Sequence, residues 1–158
     1  MAGRVKPPAL DPAAVTPRRG SGYPAPFDQS CRQRQKRALG DPLGLTQFGV
    51  NLATLPPGTW SSQRHWHQQE DEFVYVLEGE LTLITDAGEQ LLSAGMAAGF
   101  PAGVEDGHHL VNRSGKPASY LEIGTRAPEE RCVYPDIDLT EEIAPHAETF
   151  LHKDGTPY

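Results

Sequence analysis

The chain has 158 residues, 37% of them hydrophobic and 22% charged, which suits one domain with one core rather than two. Its formal net charge of −7 argues against nucleic acid as a partner, although a bound cation would still allow an anionic small substrate. The sequence contains neither an apolar run that could span a bilayer nor the apolar core of a secretory signal. We therefore expect a cytoplasmic protein with no membrane partner.

The first 45 residues are rich in proline and glycine and poor in large apolar side chains. We predict that residues 1–45 form an extended N-terminal arm, either disordered or laid over another surface. Residues 31–37, CRQRQKR, carry four positive charges. A contact with nucleic acid or a partner is one interpretation of this segment, and a solvated basic turn of helix is the interpretation we favour. Cys31 and Cys132 are far apart in sequence, so free thiols are expected rather than a disulfide.

From Thr46 onwards, short apolar and β-branched runs alternate with turn residues, and we predict a β-barrel over residues 46–126. The predicted strands are 48–52, 60–67, 72–77, 81–85, 89–92, a short run ending at 100, 108–111 and 119–123. Short strands at nearly regular spacing, together with 16 Gly and 15 Pro, predict an all-β sandwich or small barrel. Residues 127–158 are polar and acidic, and we predict a C-terminal tail that packs on the barrel or on a partner subunit.

Four residues in this region are of the types that bind metals. His65 and His67 lie two residues apart in a segment predicted to be extended, so their imidazoles share one side. Glu72 opens the next strand, and a barrel can bring His108 beside these three. Imidazole and carboxylate suit a borderline divalent ion, so we predict one Zn, Mn, Fe or Ni ion at this site. Such an ion can act as a Lewis acid or activate bound water.

Tyr120 and Glu122 share one face of the last predicted barrel strand. If that face lines the interior, Glu122 is a candidate catalytic acid or base and Tyr120 a candidate proton donor. Alternation along a strand does not say which face is inside. The alternative, which the sequence favours, places Leu121 and Ile123 in the core and Glu122 outside.

The spacing of these residues resembles the two motifs of the cupin superfamily. The first motif, G-x5-H-x-H-x3,4-E-x6-G, is matched by His65, His67, Glu72 and Gly79, with Gly58 displaced by one residue. The second motif, G-x5-P-x-G-x2-H-x3-N, is matched by Gly95, Pro101, Gly103, His108 and Asn112. Four residues rather than two precede the histidine of the second motif, and the spacing to Asn112 favours His108 over His109 as the ligand.

The resemblance implies a double-stranded antiparallel β-barrel of the jelly-roll type, one divalent metal held by the four residues, and a homodimer. The sequence is similar to small bacterial single-domain cupins, some of which are loosely described as sugar-phosphate isomerase-like. We therefore expect a metal-binding cupin that acts on a small polar molecule, a sugar or an organic acid, by isomerase or lyase chemistry. An iron- or nickel-dependent dioxygenase and a non-catalytic module that binds a metal or small ligand remain open alternatives.

Overall fold

The structure is a computed structural model that describes residues 5–158, so the first four residues of the predicted arm lie outside the described residues. The described chain contains three 3-10 turns, at Pro12–Ala14, Gln29–Cys31 and Asp41–Leu43. Its strands are β1 (Arg18–Arg19), β2 (Gln35–Ala38), β3 (Phe48–Leu55), β4 (Trp66–His67), β5 (Glu72–Glu78), β6 (Glu80–Thr85), β7 (Gly88–Ser93), β8 (Ala97–Phe100), β9 (His109–Val111), β10 (Ala118–Thr125), β11 (Glu130–Tyr134), β12 (Leu139–Ala144) and β13 (Ala147–Leu151). The predicted all-β class is confirmed. Over the described range, no helix is long and apolar enough to cross a membrane.

The strands form three antiparallel sheets that enclose one main core. The largest sheet has the order β1-β2-β3-β10-β5-β8, the second β13-β12-β11-β4 and the third β7-β6-β9. Buried aliphatic side chains from β3, β5, β6 and β10 dominate the core, and Tyr120 is its largest fully buried side chain. Burial of one face of each strand drives this closure into a jelly-roll barrel.

The large sheet begins in the segment that was predicted to be an arm. β2 pairs with β3 in the register Lys36 to Ala53, and β1 pairs with β2 through Arg18 and Lys36. The basic segment 31–37 therefore includes most of a strand, and the interpretation as a turn of helix was wrong. Charge alone does not select helix or strand, and here the free edge of β3 supplies the backbone hydrogen bonds.

The C-terminal segment also differs from the predicted tail, because residues 130–151 contain three strands. β11 pairs with β4, with Cys132 opposite His67, so this segment forms a wall of the barrel. Its inward side chains pack on the N-terminal segment, where the ring of Tyr23 lies 5.6 Å from that of Tyr134. Both cysteines are free, as predicted, and both are buried. The predicted strand 60–67 is mostly irregular and is regular only in β4.

The turn from β5 to β6 requires glycine at position 79, and we expect Gly79→Ala to lower the free energy of unfolding by about 2–4 kcal/mol. Gly79 has φ of +77°, and an added Cβ would lie 2.9 Å from the Cβ of Ala118. Gly95 also has a positive φ, of +90°, but a Cβ there would meet no heavy atom of the described residues within 4 Å. Gly95→Ala should therefore lower the free energy of unfolding by only about 1–2 kcal/mol. Urea denaturation of both variants measures the two losses. Equal losses in the two variants would show that the contact with Ala118 is not restrictive.

Candidate metal centre

The four predicted ligands converge on one point inside the barrel. Oε2 of Glu72 lies 3.3 Å from Nε2 of His65, 3.3 Å from Nε2 of His67 and 2.7 Å from Nε2 of His108. His67 ends β4 and Glu72 begins β5, while His65 and His108 are joined by an antiparallel bridge of two backbone hydrogen bonds. The short spacing within the first motif and the β-bridge between residues 65 and 108, which are distant in the same chain, together position the four candidate ligands.

The hydrogen bonding of His65 tests whether this arrangement suits a cation. Nδ1 of His65 lies 2.8 Å from the carbonyl oxygen of Gln63, which can only accept, so Nδ1 carries the proton. In the neutral imidazole, Nε2 then presents a lone pair to the carboxylate of Glu72. Two acceptors face each other at 3.3 Å, and either a proton on Nε2 or a cation between them resolves the conflict. The donor set therefore fits a divalent ion.

The protonation equilibria of the cluster favour an ionised carboxylate. Burial acts to raise the pKa of Glu72, but the contacts of its carboxylate with the ring nitrogens of His108, His65 and His67 outweigh burial and hold that pKa well below its usual range. Burial lowers the pKa of His108, which favours the neutral imidazole that a metal requires. Burial also acts to lower the pKa of His67, but the adjacent charge of Glu72 raises it overall.

A buried carboxylate behind His67 belongs to the same site, and the sequence analysis missed it. The side chain of Glu130 is completely buried and accepts hydrogen bonds from the backbone N–H groups of Gln68 (2.8 Å) and Gln69 (2.9 Å). Its Oε1 also lies 4.0 Å from Nδ1 of His67, which makes no hydrogen bond to the described residues. Glu130 thus fixes the loop between two predicted ligands and faces the outer nitrogen of one of them.

We expect Glu130→Gln to weaken metal binding by about 10- to 100-fold, because outer carboxylates orient ligating histidines and raise their basicity. The glutamine keeps the size of the side chain but cannot accept from both backbone N–H groups. Metal affinity measured by competition with a chelator checks this. Glu129→Gln, at the preceding exposed position, is the matched control. A metal affinity equal to that of the wild type would mean that Glu130 only holds the loop after His67 and does not contribute to metal binding.

Tyr120 and Glu122 line the cavity next to this cluster, so the inward-facing alternative applies. The cavity has a volume of about 30 Å³ and is also lined by His65, Glu72 and His108. Burial, reinforced by the charge of Glu122, raises the pKa of Tyr120 well above its usual value, so its hydroxyl stays protonated. That hydroxyl makes no direct hydrogen bond within the described chain.

The carboxylate of Glu122 is held by two side chains from neighbouring strands of the same sheet. Its Oε1 accepts from Nζ of Lys36 at 2.7 Å and from Nδ2 of Asn51 at 3.2 Å. These contacts could not be predicted from the sequence, because Lys36 and Asn51 lie on β2 and β3, which are distant in sequence from Glu122 on β10. Nδ1 of His109 donates to the carbonyl oxygen of Ser62 (3.0 Å), and its ring packs on Trp60, outside the group that surrounds Glu72.

The fold is a double-stranded antiparallel barrel, and three histidines and a glutamate surround one point in its interior. These two features place the protein in the class of jelly-roll proteins with a candidate metal site. The model of the Cupin domain family matches residues 51–124, which contain all four candidate ligands. The chain belongs to the cupin superfamily, as the comparisons with solved structures also show. No curated protein matches the sequence significantly.

Three solved structures illustrate the similarity. A sugar phosphate isomerase of the cupin superfamily from Silicibacter pomeroyi is 44% identical over 96% of each chain, with a TM-score of 0.92. A protein from Acidithiobacillus ferrooxidans, whose name assigns it provisionally to the sugar phosphate isomerases, is 27% identical over 80% of each chain, with a TM-score of 0.73. The polyketide cyclase RemF from Streptomyces resistomycificus is 25% identical over 79% of this chain and 80% of its own, with a TM-score of 0.57.

Proposed function

We propose that this protein is a metal-dependent isomerase of a small hydroxy-carbonyl compound of the sugar type. The observation that carries the proposal is the common cavity, in which His65, His108 and Glu72 lie beside a second carboxylate and a buried phenol. His67 does not line this cavity, but its Nε2 lies 3.3 Å from Oε2 of Glu72. The name of the Silicibacter pomeroyi protein, which is 44% identical, supports the choice of isomerase over lyase.

His65, His67, Glu72 and His108 would hold the ion. A divalent ion bound there supplies Lewis acidity to a carbonyl or hydroxyl oxygen of the substrate. Glu122 removes the proton from the carbon next to the carbonyl, and the electron pair moves to give an enediol. The hydroxyl of Tyr120, kept protonated by burial, donates to the oxygen that receives this charge. Glu122 then returns its proton to the former carbonyl carbon, while the adjacent hydroxyl loses its proton and becomes the new carbonyl. Tyr120, which has given its own proton to the former carbonyl oxygen, takes up this hydroxyl proton, and the exchange of aldehyde and ketone is complete.

The test is a panel of aldoses, ketoses and their phosphates in D₂O, with protein loaded with Mn, Zn, Fe or Ni. Interconversion with deuterium incorporated at the carbon next to the carbonyl is the expected result. Oxygen consumption that accompanies substrate loss would identify a dioxygenase instead. Stoichiometric binding without turnover for every metal would identify a non-catalytic binding module.

A further inference from the structure

A second concave surface lies next to the metal cavity, and we call it the basic cleft. It has a volume of about 490 Å³, and its positive side chains are Arg18, Arg19, Arg34, Lys36 and Arg126. Asp41 and Glu148 are the carboxylates in its lining, and Lys36 is paired with Glu122 behind the lining, so five positive charges face three negative ones. In a chain with a net charge of −7, this excess concentrates positive potential at one place.

The basic cleft and the metal cavity share one face of the large sheet. Tyr120 pairs with Ala53, Ala53 with Lys36, and Lys36 with Arg18. Residues directly paired across antiparallel strands point to the same face, so the face that carries Tyr120 continues to Arg18. Glu122 lines the metal cavity, while its hydrogen-bond partners Lys36 and Asn51 line the basic cleft. A single layer of hydrogen bonds therefore separates the two spaces.

The volumes indicate where the body of a substrate can lie. The metal cavity of about 30 Å³ has room for an ion and about one water, whereas sites for small molecules span about 300–1,000 Å³. A further opening beside His67 and His108 measures about 70 Å³. Trp66 and Phe100 line that opening together with Asp106, and its described lining contains neither Lys nor Arg. The basic cleft is the adjacent space with both the size and the positive charge to hold an anionic molecule.

Three of the arginines in the basic cleft have no carboxylate partner among the described residues. The guanidinium of Arg34 donates to the carbonyl oxygens of Gly20 and Ser61, at 2.5–3.1 Å, which orients it without neutralising its charge. Arg19 donates to the neutral side chain of Gln33 at 2.9 Å, and Arg18 is exposed. By contrast, Arg126 is paired with Asp41 at 2.7 Å. Several unneutralised guanidinium groups suit a dianionic phosphate, which they can bind through paired N–H groups.

We propose that the basic cleft binds the phosphate of a phosphorylated substrate, whose carbonyl end reaches Glu122 and the metal cavity. The position of the carbonyl end rests on the proposed function. Binding of the phosphate depends only on the cleft. The N-terminal segment, through Arg18, Arg19 and Arg34, then becomes part of the substrate site.

The experiment is a calorimetric titration of the metal-loaded protein with methyl phosphate, at fixed low ionic strength and a pH near 8. The double variant Arg18→Gln/Arg19→Gln should bind methyl phosphate at least about tenfold more weakly than the wild type. Arg113→Gln/Arg131→Gln removes the same charge elsewhere on the surface and should change the affinity by no more than about twofold. Acetate, a monoanion, should bind the wild type at least about tenfold more weakly than methyl phosphate.

Equal affinity of the wild type and the cleft variant for methyl phosphate would overturn the proposal, as would no binding at all or equally tight binding of acetate. The proposed function can fail separately. Methyl phosphate bound through Arg18 and Arg19, without isomerisation of any phosphorylated sugar, would keep the phosphate site and defeat the isomerase. Isomerisation with the same kcat/KM for a sugar phosphate in wild type and cleft variant would keep the isomerase and defeat the phosphate site.

Discussion

His108→Ala is expected to lose most of the metal that the wild type carries at about one equivalent. His108 makes the shortest of the three contacts to Oε2 of Glu72, at 2.7 Å, and it also anchors the bridge to His65. Removal of a ligand should weaken binding by at least the factor of about ten that follows loss of an outer partner of a ligand. Elemental analysis of protein purified without a histidine tag measures the loss.

The controls separate loss of a ligand from loss of the fold. His146→Ala changes an exposed histidine in the turn between β12 and β13 and should keep the full equivalent. A chelator should lower the melting temperature of the wild type, because a metal that binds only the folded state stabilises it. The same chelator should leave the melting temperature of the His108→Ala variant unchanged. A wild type that takes up no metal after reconstitution, or a His108→Ala variant that retains it, would contradict the assignment of this site.

The cluster of candidate metal ligands could be predicted from the sequence because its spacing is local. His65, His67 and Glu72 lie within eight residues, and His108 belongs to a motif that ends at Asn112. Asn112 itself is fully buried and donates to the carbonyl oxygens of Leu55 and Lys116, so it holds a turn in place. Short-range spacing of this kind survives small errors in strand boundaries, such as the irregular segment before β4.

The surroundings of the cluster could not be predicted, because they depend on pairings between distant strands. Glu130 reaches the loop after His67 only because β11 pairs with β4. The short run from Cys132 to Tyr134 was a usable signal for a strand, but the acidic composition of the segment concealed it, and the burial of Glu130 is visible only in the structure. Likewise, the inward direction of Glu122 follows from the register of β10 against β3 and β5, which alternation along one strand cannot fix.

Glu122→Gln is expected to lower kcat by about 10²- to 10⁴-fold, the usual contribution of a positioned acid or base. The glutamine fits the same space and can still accept from Lys36 or Asn51, but it cannot take a proton from carbon. Bound metal should stay at the wild-type level, because Glu122 makes none of the contacts that join the three histidines to Glu72. The measurement is the rate of deuterium incorporation next to the carbonyl of the substrate identified in the panel.

Two companion variants decide how the loss of rate is interpreted. Tyr120→Phe removes a hydroxyl without a direct hydrogen-bond partner in the described chain, so its stability should be preserved while its kcat falls. Glu89→Gln removes a carboxylate that pairs with Arg113 on the surface and should leave the rate unchanged. A Glu122→Gln variant with the wild-type rate and metal content would show that another group moves the proton. In that case Glu122 would serve only to hold Lys36 at the edge of the basic cleft.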